Sequence, residues 1–203
     1  VMGISYNTAL IDEDKIPTRW EDLLDDYFCD QIMLTDPMES GTMAYLLGAM
    51  VNNPKYGWEF FEELKDKQGA VLNSSATGCH NDIAAGGYLA TIGVDYVTQT
   101  LADSGATIDF VYPEEDVIVI SGPMAIMKDT QNEECAKIFY DWVLSKEAQQ
   151  ILADTGATPI RDDVTREGAI PVSEINTMTG IDDRKLADEL DKYFDRFDSI
   201  FKE

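Results

Sequence analysis

Residues 36–47, Asp36-Pro37-Met38-Glu39-Ser40-Gly41-Thr42-Met43-Ala44-Tyr45-Leu46-Leu47, read as the end of a strand, a tight turn and the start of a helix. Ile32-Met33-Leu34 just ahead supplies the apolar strand. Pro37 fixes its own φ and biases Asp36 away from the α region, so the turn falls here. Ser40, Gly41 and Thr42 then occupy positions where a helix carries unsatisfied N–H groups. Hydroxyls and a residue without a side chain at such a mouth suit an anion. The same three residues also serve as an ordinary Ser cap, and the stretch alone does not separate the two readings.

On both sides of this stretch the pattern alternates. Gly3 to Leu10 reads as a strand, and Pro17-Thr18-Arg19-Trp20-Glu21 as a helix start in which Thr18 and Glu21 have capping-box spacing. Pro54 to Lys67 reads as an amphipathic helix with Trp58, Phe61 and Leu64 on one face. Val71-Leu72, Leu89–Val94 and Thr107–Tyr112 read as strands, with helices from about Cys79 to Ala85 and Asp95 to Ala102 between them. Strand and helix in alternation up to Pro113 predict an α/β lobe with a largely parallel sheet. Beyond Pro113-Glu114-Glu115-Asp116 the chain has β-branched Val117–Ile120 and a second apolar run at Met124–Met127. It then turns mostly helical, ending in a predicted helix over 183–201 with Leu186, Leu190, Phe194 and Phe197 on one side. So much apolar helix surface needs a sheet to cover, and the sequence shows few strands for it. A missing N-terminal portion, or a partner that supplies strands, is therefore expected.

Composition narrows the function classes. The 203 residues hold 15 Lys+Arg against 39 Asp+Glu, a net charge of -24, so no nucleic-acid partner is expected, since phosphate backbones require a basic footprint. An anionic membrane surface would repel such a chain. At 44% hydrophobic residues the chain is nevertheless globular. No run reaches the length of a transmembrane span, and Val1-Met2-Gly3-Ile4-Ser5-Tyr6 reads as the inside of a strand rather than a signal peptide. Cys29, Cys79 and Cys135 are too widely spaced for a disulfide framework or a zinc site. There is no G-x-G-x-x-G and no Walker A motif, and no cofactor is expected.

The order of segments resembles a known family. Tyr6-Asn7-Thr8, Ile16-Pro17-Thr18-Arg19-Trp20-Glu21-Asp22-Leu23, and Asp36-Pro37 with Ser40-Gly41-Thr42 are followed by Ala85-Gly86 and Pro113-Glu114-Glu115. Asp141-Trp142-Val143-Leu144-Ser145-Lys146-Glu147-Ala148-Gln149 and Pro159-Ile160-Arg161 complete the series. Together they resemble the substrate-binding proteins of ABC transporters, in particular the ferric-iron and 2-aminoethylphosphonate branch, with a type 2 periplasmic-binding fold. The resemblance implies an α/β protein of two lobes with a ligand clamped between them. Residues 1–16 would be a hinge strand and 17–112 one complete α/β lobe. Residues 113–203 would be a return crossing and the helix-rich C-terminal part of the other lobe, whose N-terminal part is absent. It implies a receptor, not an enzyme, located outside the cell or in the periplasm, soluble or lipid-anchored, with a membrane permease as partner. Exposed sheet edges would also allow a strand-sharing dimer.

The same resemblance implies an oxyanion at Ser40, Gly41 and Thr42, either a phosphonate or phosphate group or the anion beside a ferric ion. Tyr6 and Asn7 would line the cleft, or else pack structurally between lobes. Ser75 and Thr77 would form a second hydroxyl rim, with helix capping as the alternative. His80, the only histidine, would touch an anionic ligand from a helix start. Iron-binding relatives use adjacent tyrosines because phenolate is a hard ligand; the corresponding Asp95-Tyr96-Val97 has one, so Tyr96 is the metal candidate of a ferric alternative. A non-transport interaction module retaining the fold is a further class. A Cys79–His80 catalytic pair is disfavoured, because adjacent helix positions diverge by about 100°.

Overall fold

The computed structural model describes residues 1–202 apart from 167 and 169. Contacts divide them into one unit of residues 1–120 with 176–202 and another of residues 121–175, where the sequence drew its boundaries at 16 and 112.

In the first unit, β1 (Met2–Asn7) is central to a three-stranded sheet of order β4-β1-β5. It runs antiparallel to both β4 (Ala90–Val94) and β5 (Ile108–Val111). A second pair, β2 (Met33–Thr35) and β3 (Val71–Asn73), is parallel, and a parallel bridge from Ile32 to Ala90 links β2 to β4. The sheet is therefore mixed, not largely parallel as the alternation suggested. β1 is the reversed strand, and its direction depends on how it enters the unit, which strand–helix alternation does not record. All six residues of β1 are buried, as a central strand covered on both faces requires.

Four helices follow the strands: α1 (Gly41–Asn52), α2 (Glu59–Asp66), α3 (Ala76–Ala84) and α4 (Asp95–Asp103). α2 starts five residues later than its apolar spacing suggested, because Gly57 takes φ 61°, a left-handed turn that ends one segment before the next helix begins. At the predicted helix start near Thr18 the structure has a short 3-10 turn, Trp20–Leu24. There Asp22, not Glu21, supplies the capping carboxylate, accepting from the N–H groups of Thr18 (2.8 Å) and Arg19 (2.9 Å). Val117–Ile120 forms no regular strand; Met2 bridges to Ile118, and Val117 to Thr177.

The final predicted helix is two helices, α7 (Asp183–Asp188) and α8 (Leu190–Phe201), meeting at Glu189. α8 packs against α1 and α2, and α7 against α1. Phe197 is fully buried, edge-on to Phe61 at 6.0 Å between ring centroids and stacked on Phe201 at 4.4 Å. Burying each such ring contributes about 2–3 kcal/mol. Leu186 of α7 approaches Gly48 of α1 so closely that a Cβ there would lie 2.8 Å from its Cγ.

The second unit contains α5 (Glu133–Val143) and α6 (Lys146–Asp154). α6 is capped by Ser145, whose Oγ accepts from Ala148 N–H at 3.3 Å. No residue of α5 is buried, and Ile138 and Phe139 are 70% and 58% exposed. An amphipathic helix with its apolar face uncovered lacks the partner that ordinarily stabilises it.

Candidate functional site

β2, β3 and β4 each end at the start of a helix: α1 after Thr35, α3 after Asn73 and α4 after Val94. Because these strands run in one direction, the three helix N-termini gather along one edge of the sheet, the edge at which open α/β sheets bind ligands. The α1 and α3 starts are neighbours, since Asp36 N–H donates to Asn73 O at 2.8 Å.

At the α1 mouth Ser40 is extended (φ -140°, ψ 110°) and its Oγ accepts from Met43 N–H at 3.3 Å while lying 3.0 Å from Thr42 Oγ1. Gly41 is exposed, and a Cβ there would meet nothing within 4 Å. The first-turn N–H groups of a helix have no intrahelical partner and carry the positive end of its dipole. The α3 mouth repeats the plan. Ser75 Oγ accepts from Gly78 N–H at 3.2 Å, Asn73 Oδ1 accepts from Ser75 N–H at 3.0 Å, and Thr77 is exposed in the first turn.

One carboxylate complicates an anion at this place. Asp36 stands at the α1 mouth, with Oδ1 accepting from Met38 N–H at 2.9 Å. Lys202, from the end of α8, offsets its charge with Nζ 2.9 Å from Asp36 Oδ2 and 2.8 Å from Asp198 Oδ1. These carboxylates hold the Lys202 amine above its ordinary basicity, Asp198 having the larger influence. A cavity of about 400 Å³ lies alongside, lined by Asp36, Asn73, Ser74, Lys65 and Lys202 among others.

The α4 mouth differs. Asp95 is buried and its Oδ1 accepts from Tyr96 N–H at 2.8 Å; Tyr96 itself is 49% exposed. Among the described residues no group of three His, Cys, Asp or Glu side chains is placed to hold a metal ion.

Three sequence candidates lie elsewhere. Tyr6 and Asn7 are at the far end of β1, opposite Ala90, Asp109 and Ile108. Four residues of strand, about 13 Å, separate them from Val94 and the helix mouths. Both are buried: Asn7 Nδ2 donates to Ile83 O at 2.7 Å, and burial with the nearby Asp109 carboxylate raises the Tyr6 phenol's pKa. His80 is fully buried one turn inside α3, because the helix begins at Ala76, capped by Ser75, rather than at Cys79. Cys79 and His80 share no hydrogen bond. Thr35 Oγ1 lies 3.3 Å from Cys79 Sγ, while the imidazole bonds to the backbone of Ala76 and Val94.

The sequence matches the family described as bacterial extracellular solute-binding protein over residues 1–183. The chain belongs to that family. Its members bind solutes and are not enzymes. An uncharacterized protein of Haemophilus influenzae is 30% identical over 158 residues, spanning 74% of this chain and 45% of that protein. The fold is that of type 2 periplasmic binding proteins. The binding protein AfuA of Actinobacillus pleuropneumoniae, solved with exogenous fructose-6-phosphate bound, superposes with TM-score 0.79 at 23% identity, over 99% of this chain and 66% of that one. A ferric binding protein from Campylobacter jejuni gives 0.72 at 21% identity, over 98% and 67%. The chain thus spans about two thirds of the length of these solved relatives and under half of the Haemophilus protein.

Proposed function

We propose that the chain is part of the solute receptor of an ABC importer and that it binds a small anion, or a solute carrying a phosphate- or phosphonate-like group. The observation that carries this reading is the pairing of the α1 and α3 mouths, with Ser40, Gly41 and Thr42 beside Ser75 and Thr77. Two sets of first-turn N–H groups with flanking hydroxyls supply converging donors and aligned dipoles without a full positive charge. A sugar phosphate bound to AfuA is in keeping with that chemistry. Tyr6, Asn7 and His80 have no direct ligand role in this reading. The receptor works in the periplasm or at the cell exterior and delivers its solute to a membrane permease.

A second reading takes the ligand as a ferric ion with an accompanying anion. The half-exposed Tyr96 phenol at the α4 start favours it, as does the likeness to a ferric binding protein. In both readings the anion occupies the paired mouths, and they differ in whether Tyr96 ligates a metal.

The uncovered apolar face of α5 is, in this account, packed by further polypeptide of the same receptor, with a strand-sharing dimer as the competing arrangement. A ligand-dependent melting screen of the full-length encoded protein tests the functional reading. Stabilisation by fructose-6-phosphate, inorganic phosphate or 2-aminoethylphosphonate supports the first version, and stabilisation by ferric citrate with a tyrosinate–iron absorption band supports the second. No response to any of them would remove both.

A further inference from the structure

His80 is the only histidine in the chain and its side chain is fully buried, though no step of anion binding as described above employs it. Its two ring nitrogens join two of the three helix starts. Nε2 lies 3.1 Å from the N–H of Val94, the residue that caps α4. Nδ1 lies 2.6 Å from Ala76 O, in the first turn of α3. A backbone N–H can only donate, so Nε2 must accept, and the neutral ring therefore carries its proton on Nδ1 and donates it to Ala76 O.

The space around the ring is made for this contact. Gly93 faces Nε2, and a Cβ there would sit 3.0 Å from it and 1.8 Å from Ser5 Oγ. Ser5 Oγ and Thr98 Oγ1 are 2.6 Å apart, and Thr98 Oγ1 donates to Val94 O at 3.1 Å. Both backbone polar groups of Val94 are thus held, the N–H by His80 and the C=O by Thr98. Tyr96, the exposed residue of that mouth, is two positions further on.

We propose that His80 is a positioning residue for the helix-mouth site: its neutral Nδ1–H form fastens the start of α4, and with it Tyr96, to the first turn of α3, and protonation of the ring undoes that fastening. The proposal rests on the receptor reading for its consequence but not for its geometry. A proton on Nε2 sets two N–H groups head to head at Val94, so one buried hydrogen bond is lost and the donor at Val94 is left without its acceptor.

The charged and titratable groups around the ring are few. On α3 and the elements packed against it they are Cys79 and Asp82 of α3, Asp95, Tyr96 and Asp103 of α4, Tyr6 of β1 and Asp109 of β5, the last two at the far end of β1, about 13 Å from Val94. β1 and β4 bring Ser5, Thr91 and Gly93 to this region, none of them charged. Burial holds the imidazole below its ordinary basicity. The unfolded chain takes up a proton near pH 6.5, so the neutral ring's contribution is fully present above that value. It is lost as the pH falls through the lower folded-state value.

The test is an NMR titration of the full-length protein from pH 7.5 to pH 4.5, in which the His80 imidazole signal is identified by its absence from the spectrum of His80→Gln. The expected result is an Nδ1–H tautomer at neutral pH. On protonation, amides 94–97 should lose protection from exchange about tenfold, the scale of one buried hydrogen bond, after correction for intrinsic rates. In His80→Gln, whose Oε1 can accept from Val94 N–H but does not titrate, that pH dependence should vanish. Fructose-6-phosphate takes up a proton of its own over this range, with a second pKa of about 6, so its affinity should fall on acidification in both proteins and several-fold further in the wild type than in H80Q. An Nε2–H tautomer, protonation without change at 94–97, or the same acid response in H80Q would overturn the proposal. If H80Q does not fold, the wild-type titration decides alone. Amides that respond as expected in a protein that binds none of the solutes would uphold the fastening and sink the receptor reading.

Discussion

Asp36 and Asn73 are joined main chain to main chain, the N–H of Asp36 donating to the carbonyl of Asn73 at 2.8 Å. That single bond sets the start of α1 beside the start of α3. The two Ser caps, Ser40 and Ser75, lie within a few residues of it on either strand, so their unsatisfied N–H groups address a common region.

Ser40→Ala and Ser75→Ala should each destabilise the fold by about 1 kcal/mol, the usual cost of losing a capping hydroxyl. Ser145→Ala at α6 removes an equivalent cap in the other unit and should cost a similar amount. Only the first two should weaken solute binding. Chemical denaturation and a binding titration on the three variants separate capping from recognition; equal loss of affinity in S145A would contradict the assignment.

Lys202 shields the paired mouths from the Asp36 carboxylate. Lys202→Met should lower the affinity for an anionic solute about twofold at low ionic strength, the scale of one unit charge several ångströms away in a watery setting. The difference should fade in high salt as the Debye length shortens. Titration at two salt concentrations checks both parts.

The mouth at α1 was legible because its signals are local: Pro37 sets the turn, Ser40 caps, and Gly41 stays bare. The α3 mouth was legible in part. Ser75 and Thr77 stand out in the sequence as hydroxyls near a helix start, but the local pattern starts the helix at Cys79, which would put His80 at the opening instead of one turn inside. Tyr6 and Asn7 depend on the direction of β1, and a strand's direction is fixed by pairings over 80 residues away, here with 90–94 and 108–111. The same non-local origin hides the docking of Phe197 on Phe61, since a helix's apolar face announces that it is buried without saying against what.

Gly93 is required by close approach rather than by its backbone angles. Gly93→Ala should destabilise by about 1–3 kcal/mol, because a Cβ there would overlap Ser5 Oγ and press on His80 Nε2. Ser5→Gly in the same chain removes the severest overlap. The double variant should therefore lose less than the sum of the single losses, a coupling that a double-mutant cycle measures.

Cys79 is buried and desolvation raises its thiol pKa, whereas Cys29 and Cys135 are exposed. Iodoacetamide at neutral pH should label Cys29 in the native protein and reach Cys79 only after unfolding, as intact-mass analysis would show. Rapid native labelling of Cys79 would reopen a chemical role for it.

Recognition of a phosphate-like group at the α1 and α3 mouths is tested most directly by isothermal titration of the full-length protein with fructose-6-phosphate and with fructose. The account predicts saturable heat with the phosphate ester, at least tenfold weaker binding of the bare sugar, and loss of that preference in Ser40→Ala/Thr42→Val. Equal affinity for the two sugars, or an undiminished preference in the double variant, would contradict it.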